Sequence, residues 1–397
     1  MSAIETVRER TADVIIVGAG ALGCHAGWHL RRRGLDVLCL EAAAGPARQT
    51  TQAAAGFVAN FSTVHRPEWQ EVEWGMQQYG IEFYTRLAAD CGGDIAYGAS
   101  GIAYIYQTEA GWEDIQPNIA QARRYGTPLE ILSPERAAEI LPQVRREHTT
   151  GIVFDPQSIR LRAADAIPAL AAQLQLQGGR FQFDTAVEAF MRDGERIAGV
   201  ETNRGAFRCD RVVVAAGAWS RPLLATIDVP LAGEPRIVAR YTTRPLPGID
   251  MTLPMLMFSD SVHRFFIREE RGGLLIGGAD PLPLPADRFV DPENPPPVDE
   301  LTHAHARRMR QYLRQVEHVM PVLARADIDA TAAGLPNYTE DRRFIADAVP
   351  GCAGLYVLSA CNEAGITHGP ALGRHLAELM LDGKTQLDRA RFAIDRF

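Results

Sequence analysis

Residues Asp13 to Glu41 read DVIIVGAGALGCHAGWHLRRRGLDVLCLE, and this stretch decides the fold of the first part of the chain. The apolar run from Val14 to Val17 is typical of a buried parallel strand. Three glycines follow it in the pattern G-x-G-x-x-G. Gly18 permits a tight turn, Gly20 lets a pyrophosphate approach the backbone, and Gly23 lets the next helix pack against the strand. The stretch therefore predicts a mononucleotide-binding βαβ unit.

The helix of this unit is expected to bind the pyrophosphate, because the first N–H groups of a helix, here at Ala21 and Leu22, are free and its dipole is positive there. Its arginine-rich end before Gly34 suits a helix C-terminus, and an anion site is the alternative. Glu41 closes the second strand 18 residues after Gly23, near the spacing expected for a ribose-binding carboxylate. Nicotinamide and flavin enzymes share this opening, so the stretch alone leaves the dinucleotide open.

Composition and charge exclude several classes of function. The net charge of −8 does not favour a nucleic-acid partner. No apolar run approaches the roughly 20 residues that span a bilayer, and the N-terminus lacks a signal peptide, so we expect a cytoplasmic protein without a membrane span. The six cysteines form no C-x-x-C pair, which indicates free thiols. His303 and His305 are two apart on a predicted helix and face different sides, so no metal site is expected.

The sequence after Glu41 departs from a simple series of βα units. A loop of small residues follows, AAAGPARQTTQAAAGFVANFS, which allows the backbone to lie against a flat cofactor. A plain helix start with threonine caps would explain the same residues. The run Val212–Val214 is a buried strand that ends in small residues, and the C-terminal part reads as a strand, a glycine loop and a helix. The candidate cofactor contacts in the small-residue loop are Thr50, Thr51, Ala54, Ala55 and Gly56.

Together these stretches resemble the D-amino-acid oxidase family of flavoproteins, which includes sarcosine oxidase, glycine oxidase and dimethylglycine dehydrogenase. The resemblance covers essentially the whole chain and rests on the glycine motif with Glu41 and on TTQAAAGF, VVVAAGAWS, GLPNYTEDRRFIAD and EAGITHGPALGRHLAEL. It implies FAD as the cofactor, with the last helix starting at the pyrimidine side of the flavin and Val187 pairing its backbone with adenine. The further cofactor contacts that it implies are Ala216, Gly217, Trp219, Leu335, Gly365, Ile366, Thr367 and His368.

The same resemblance implies the architecture. We expect a Rossmann-like, discontinuous FAD-binding domain of the α/β type, formed by residues 1–86, 150–230 and 331–397. A substrate-binding domain of the α+β type is expected at residues 87–149 and 231–330, with a mixed, mostly antiparallel β-sheet that covers the flavin. Strand-like patterns with intervening turn residues support that sheet, and helical spacing predicts a helix from Val298 to Met320.

The chain lacks several residues that its relatives use. Ala53 stands where some relatives attach flavin to a histidine, and Pro336 stands at or beside the position of a linking cysteine, so non-covalent FAD is expected. The segment around Pro336 also lacks the carboxylate-binding arginine of glycine-oxidase-like relatives, and Leu275 replaces an oxygen-activating lysine. A carboxylate buried there without a cation would cost several kcal/mol. Arg240 and Arg264 are the candidate substitutes, with surface or structural ion pairs as the alternative.

The expected reaction is hydride transfer from the carbon next to an amine nitrogen to flavin N5, which gives an imine that water hydrolyses. An apolar site favours the neutral amine that this step needs. The candidate catalytic residues are Tyr338, His263, Arg264, Asn60 and Thr367, with His65, Asn362 and Glu363 bordering the site. A core position is the alternative for Tyr338.

We therefore expect an FAD-dependent oxidase or dehydrogenase that acts on an amino acid or on a secondary or tertiary amine, and passes electrons to O2 or to an electron carrier. The absent lysine weakly favours a dehydrogenase. The alternative is a flavin-carrying subunit of a larger amine or amino-acid dehydrogenase complex.

Overall fold

The computed structural model describes residues 10–59, 70–91, 95–260, 264–278 and 309–397, and the backbone of residues 282–283. Its α-helices are α1 (Ala21–Arg32), α2 (Glu71–Asp90), α3 (Glu109–Arg124), α4 (Pro134–Ile140), α5 (Ala163–Leu176), α6 (Ser220–Ala225) and α7 (Gly365–Asp382). Residues 309–316 are also helical and fall within the helix predicted from Val298 to Met320. No helix in these ranges is both long enough and apolar enough to cross a bilayer.

The strands of the first half are β1 (Thr11–Ala12), β2 (Val14–Val17), β3 (Val37–Leu40), β4 (Phe57–Val58), β5 (Ile102–Tyr106), β6 (Glu130–Ile131), β7 (Gly151–Asp155), β8 (Ile159–Arg160), β9 (Arg180–Gln182), β10 (Val187–Asp193) and β11 (Arg196–Thr202). Those of the second half are β12 (Phe207–Cys209), β13 (Val212–Val214), β14 (Glu234–Thr243), β15 (Met255–Phe258), β16 (Phe265–Glu270), β17 (Gly273–Gly278), β18 (Leu282–Pro283), β19 (Ile328–Gly334), β20 (Asn337–Tyr338), β21 (Ile345–Ala348) and β22 (Leu355–Ser359).

A six-stranded sheet holds the predicted βαβ unit. Its order is β21-β22-β13-β2-β3-β9, and the strands are parallel except for the antiparallel pair β21 and β22. Alternate residues of β2 face opposite sides: Val14 and Ile16 pack with α1, α2 and α7, whereas Ile15 and Val17 pack toward a four-stranded sheet, β1-β12-β11-β10. Both faces are covered, which explains why β2 is apolar throughout.

A second, ten-stranded sheet has the path β18-β14-β17-β16-β15-β5-β7-β6, with β19 and β20 paired to β14. Its pairs are antiparallel except for β15 with β5, so the expected mixed, mostly antiparallel sheet is confirmed. One face packs against the helical residues 309–316 through Tyr241 and Tyr312. The other face packs against α3 and the small-residue loop through Phe266 and Ile115.

The strand pairing differs in detail from the predicted segments. Strand β7 lies within residues 150–230, which were assigned to the FAD-binding part, yet it pairs with β5 and β6 of the larger sheet. Strands β19 and β20 also reach into the segment from residue 331 while pairing with β14. The sheet that a strand joins depends on its distant partners, which local sequence does not show, so the domain boundaries stay a prediction.

Candidate functional site

A cavity of about 780 Å³ lies at the carboxyl ends of the parallel strands. Gly18 and Glu41 line one end of it, directly after β2 and β3. Arg240 of β14 and Glu363, just before α7, line it as well. This is the crevice in which open α/β sheets bind nucleotides, and its volume lies in the upper part of the usual range for ligand sites.

The glycine motif makes the close backbone contacts that the sequence predicted. Gly18 has a φ of +104°, and a Cβ there would lie 2.6 Å from the carbonyl oxygen of Ala215. A Cβ at Gly23 would lie 2.0 Å from the carbonyl oxygen of Gly18. The helix can therefore begin directly against the end of β2 only if both residues lack side chains. Gly18, Gly20, Ala21 and Leu22 line the cavity, whereas Gly23 packs behind them.

Glu41 is held in the cavity wall by backbone donors. One carboxylate oxygen accepts from the N–H of Ala19 at 2.7 Å, and the other accepts from the N–H of Ala43 at 2.9 Å. The N–H of Ala21, the first residue of α1, donates to the hydroxyl of Thr51 at 3.1 Å. A carboxylate at this strand end has the geometry for a ribose hydroxyl, next to a helix N-terminus suited to phosphate.

The small-residue loop contributes only part of its predicted contacts. Thr50, Thr51, Ala53 and Ala54 line the cavity, and the N–H of Leu335 donates to the Thr50 hydroxyl at 3.0 Å. Two predicted contacts lie elsewhere. The carbonyl of Ala55 accepts a hydrogen bond from Arg268, and that of Gly56 accepts one from the N–H of Leu161. Ala55 and Gly56 do not line the cavity, because their carbonyls bond instead to β16 and to the residues just before α5.

The remaining wall includes the predicted residues Val187, Ala216, Gly217, Trp219 and Leu335. Asn337, which sequence reasoning did not select, joins two of these segments because its side-chain amide donates to the carbonyl of Gly217 at 3.0 Å. Its Oδ1 is buried and has no hydrogen-bond partner among the described residues. Asn337 also lines the cavity, so this oxygen can accept from a bound ligand.

Of the four cofactor contacts predicted at the start of α7, two line the cavity and two do not. Gly365 and Ile366 line the cavity, at the helix N-terminus. Thr367 instead donates its hydroxyl to the carbonyl of Phe57 at 3.1 Å, and His368 packs edge-on against Phe344 at 5.2 Å between ring centres. Thr367 and His368 therefore lie behind the lining, since successive residues of a helix point to different sides.

The loop before α7 holds an unusual backbone. Ala360, Asn362 and Glu363 all have positive φ, at 56°, 45° and 66°. The side chain of Asn362 fixes the loop by donating to the carbonyl of Ala360 at 2.6 Å and accepting from the N–H of Thr339 at 3.1 Å. Such conformations cost about 1–3 kcal/mol each in non-glycine residues and concentrate at functional sites.

This loop brings Glu363 to Arg240. An Nη of Arg240 donates to a carboxylate oxygen of Glu363 at 3.2 Å, and the two side chains are only 6% and 14% exposed. The guanidinium lies 5.1 Å from the ring centre of Phe266. Of the two arginines proposed as substitutes, Arg240 thus lines the cavity, whereas Arg264 is exposed and does not. His263, Asn60 and His65 lie outside the described residues.

Tyr338 is buried and does not line the cavity. Its ring lies between Arg236 and Arg342, whose guanidinium carbons are 5.1 and 5.3 Å from the ring centre. Burial raises the pKa of Tyr338 well above its ordinary value, and the neighbouring carboxylate of Glu363 adds to this rise. The placement favours the core alternative.

The fold also brings a cysteine to the cavity that sequence comparison did not place there. Cys361 lines the same wall as Pro336, the position aligned with a flavin-linking cysteine. Burial raises the pKa of the Cys361 thiol to about 11. The thiol is therefore protonated at neutral pH, and a thiol is a poor nucleophile compared with its thiolate.

The alternation of residues along β14 explains why Arg240 lines the cavity. Ala239 and Tyr241 pack into the core on one face of the sheet, whereas Val238 and Arg240 line the cavity on the other. The two-residue alternation of a strand places these pairs on opposite faces. Gly277 makes room for the arginine, because a Cβ there would lie 2.8 Å from the Cδ of Arg240.

These features fit an FAD molecule. The glycine cradle, the α1 N-terminus and Glu41 suit the pyrophosphate and the adenosine ribose, and the same cavity is also lined by the small-residue loop and the start of α7. Asn337 Oδ1 and the N-terminus of α7 supply polar groups at that far end. A dinucleotide with a flat ring system needs this combination of a phosphate cradle and a long apolar slot.

Comparisons with known proteins also indicate an FAD-binding protein. Residues 13–379 match the family described as DAO, FAD dependent oxidoreductase. The chain is 28% identical over 387 residues to 4-methylaminobutanoate oxidase (formaldehyde-forming) of Paenarthrobacter nicotinovorans, which covers 96% of this chain and 45% of that protein. It is 23% identical to mitochondrial dimethylglycine dehydrogenase of Homo sapiens, which covers 99% of this chain and 45% of that protein. The chain thus spans less than half the length of these two relatives.

Solved structures show the same fold. Glycine oxidase from Geobacillus kaustophilus superimposes with a TM-score of 0.81 at 23% identity, covering 98% of this chain and 99% of that one. Because the family match extends over most of the sequence, the predictions of the family and of FAD as its cofactor are confirmed. The chain belongs to the DAO family of FAD-dependent oxidoreductases.

Proposed function

We propose that the chain is an FAD-dependent enzyme that oxidises the C–N bond of an amine or amino acid to an imine. The main support for this proposal is that one cavity includes both the dinucleotide end, at Gly18 and Glu41, and the charged end, at Arg240 and Glu363. A substrate bound at the charged end shares one chamber with the cofactor. The relatives named above support a reaction at a carbon next to nitrogen.

Different residues of the chain are assigned to different parts of the cofactor and substrate. Glu41 and the first turn of α1 hold the adenosine and pyrophosphate, and Gly365 and Ile366 present the α7 N-terminus to the other end of the cofactor. The positive end of that helix stabilises negative charge. The flavin supplies the acceptor for the hydride when it is bound. Apolar neighbours such as Val238 and Leu335 exclude water and favour a neutral amine.

FAD is proposed to bind non-covalently. Ala53 cannot form a link, and the protonated thiol of Cys361 does not favour one. Acid precipitation of the yellow protein should therefore release all of the FAD into the supernatant. Yellow colour retained in the washed pellet would contradict this part of the proposal.

The proposed function is tested by an anaerobic screen of primary, secondary and tertiary amines and of amino acids against the FAD-loaded chain. At least one amine or amino acid should bleach the flavin absorbance near 450 nm, on the order of the change produced by dithionite. Bleaching by NADH but by no amine would contradict the proposal.

The electron acceptor and the assembly are also open to measurement. Reoxidation of the reduced protein by air, compared with reoxidation by an artificial electron acceptor, distinguishes an oxidase from a dehydrogenase. Turnover by the isolated chain, measured alongside its size in solution, distinguishes a self-contained enzyme from a flavin-carrying subunit. We propose a cytoplasmic enzyme with a small-molecule substrate, because neither the charge nor the described helices indicate another kind of partner.

A further inference from the structure

The charged end of the cavity includes a carboxylate side chain, whereas a site that binds a substrate carboxylate needs a cationic side chain. Pro336 and Asn337 line this wall, and neither carries a positive charge. Glu363 lines it too, from a loop fixed by Asn362. The charge that a substrate meets here depends on which member of the Arg240–Glu363 pair is accessible.

Arg240 is the less accessible member. One Nη donates to Glu363 at 3.2 Å, the other donates to the carbonyl of Ala239 at 3.0 Å, and the guanidinium packs on the ring of Phe266. Its side chain is 6% exposed. The strand, the aromatic ring and the acid therefore hold the arginine in place, with one hydrogen bond from each Nη directed into the protein.

Glu363 is the member that can accept a ligand. Its side chain is 14% exposed, more than twice the value for Arg240. An ionised carboxylate offers about four acceptor positions, and the hydrogen bond from Arg240 occupies one of them. The cavity wall around it is apolar, with Val238, Leu335 and Ile366, so a hydrogen bond from a cation is stronger here than in water.

We propose that Glu363 is the substrate-binding residue that recognises the protonated amino group and takes up its proton before hydride transfer, so that the reacting amine is neutral and the chain selects cationic amines rather than compounds with a carboxylate next to the reacting carbon. This inference rests on the proposed function and adds the substrate class. Arg240 holds the carboxylate in position through its hydrogen bond. The loop strain at Ala360, Asn362 and Glu363 is consistent with this role, because it aims the acid into the cavity.

The test separates recognition from chemistry by using ligands that cannot react. Tert-butylammonium has no hydrogen on the carbon next to nitrogen, so it cannot lose a hydride. Pivalate and tert-butanol have the same bulk with a negative charge and no charge. Each is titrated at pH 7.5 into the oxidised, FAD-loaded chain, and the flavin difference spectrum gives a dissociation constant.

Tert-butylammonium should bind at least about tenfold more tightly than pivalate or tert-butanol. Glu363→Gln should weaken the cation by about tenfold to a hundredfold, the range for a hydrogen bond to a charged group. Glu363→Asp should recover part of the affinity. Glu378→Gln is the matched control and should leave the affinity unchanged. Glu378 lies in α7, which follows Glu363, and pairs with Arg374 at 2.8 Å, but it does not line this cavity.

Tighter binding of pivalate to the unmodified chain would overturn the inference and assign the site to Arg240 and a carboxylate. Equal binding or absence of binding of all three ligands would also overturn it, as would an unchanged cation affinity in Glu363→Gln. If Glu363→Gln loses FAD, the comparison of the three ligands in the unmodified chain still decides. Cation binding without any flavin bleaching in the amine screen would contradict the proposed function alone.

Discussion

The two sheets bury their polar groups in different ways. The helices on the parallel sheet bury histidines against neutral groups: the Nε2 of His25 lies 3.0 Å from the hydroxyl of Tyr84. The ten-stranded sheet and its neighbours bury several ion pairs, such as Arg160 with Glu269 at 2.7 Å and Arg268 with Glu270 at 2.7 Å, whereas α2 contributes the pair of Glu73 with Arg391 at 2.7 Å. The parallel sheet supplies a site through backbone geometry, and the larger sheet supplies one through paired charges.

The two kinds of site are therefore expected to respond differently to substitutions. The dinucleotide end depends on Gly18 and Gly23, where an added Cβ would overlap the backbone, and on the N–H groups that hold Glu41, so a single added side-chain carbon can disrupt it. The charged end depends on side chains far apart in sequence, so its specificity can change while the backbone stays the same. Four predictions test that contrast.

The largest effect is expected at Gly23. In Gly23→Val the new side chain would overlap the carbonyl of Gly18, because even a Cβ lies only 2.0 Å from that oxygen. We expect loss of FAD binding by more than about a hundredfold, since α1 has to move away from β2. Gly75→Ala is the control: it lies in α2, a Cβ added there would have no atom within 4 Å, and it should bind FAD normally. Fluorescence titration with FAD measures both, and normal binding by Gly23→Val would show that the close packing is dispensable.

The next effect concerns the buried ion pairs of the larger sheet. Arg160→Met leaves Glu269 charged, buried and unpaired, which should lower the free energy of unfolding by about 3–5 kcal/mol. Adding Glu269→Leu to the same variant should restore much of this loss. Arg136→Met removes an exposed pair with Glu139 and should cost under about 1 kcal/mol. Urea denaturation with saturating FAD measures all three, and a loss at Arg160 no larger than at Arg136 would show that the buried pair contributes no more than the exposed one.

A smaller effect is expected from Glu41→Gln. The amide keeps one acceptor oxygen but loses the charge that binds a ribose hydroxyl, so the affinity for FAD should fall by about tenfold to a hundredfold. Glu201→Gln on the exposed side of β11 should have no effect. Calorimetric titration with FAD compares the two, and equal affinities would mean that Glu41 serves only its backbone partners, Ala19 and Ala43.

The smallest effect is a dependence of stability on pH that comes from the helices of the parallel sheet. Burial lowers the pKa of His25 to about 3 and that of His29 to about 4. Below pH 6.5 the unfolded chain therefore binds protons that the folded chain does not, so stability falls as the pH falls. Each histidine should contribute roughly 1 kcal/mol per pH unit between pH 6 and pH 5.

His29→Gln should reduce this slope by one histidine's share, whereas His148→Gln, at an exposed position, should leave it unchanged. Unfolding measured at pH 6.5, 6.0, 5.5 and 5.0 gives the slope. A slope that His29→Gln does not alter would show that His29 is protonated in the folded chain.

The sequence predicted the dinucleotide end well because its signals are local. Gly18, Gly20 and Glu41 lie within one βαβ unit, and each acts through the backbone at its own position. The charged end was harder to predict, since Arg240 and Glu363 lie 123 residues apart and meet only through the pairing of β14 with its neighbours. The placements of Thr367 and His368 differed for a related reason: α7 begins at Gly365, so helical rotation turns these side chains away from the cavity.

Binding of FAD in this cavity can be measured by titrating the FAD-free chain with FAD. Addition of FAD should give a yellow protein with one FAD per chain and a structured absorbance band near 450 nm, and Gly23→Val should abolish that binding. A chain that stays colourless after reconstitution, or binds FAD equally well with Gly23→Val, would contradict the account.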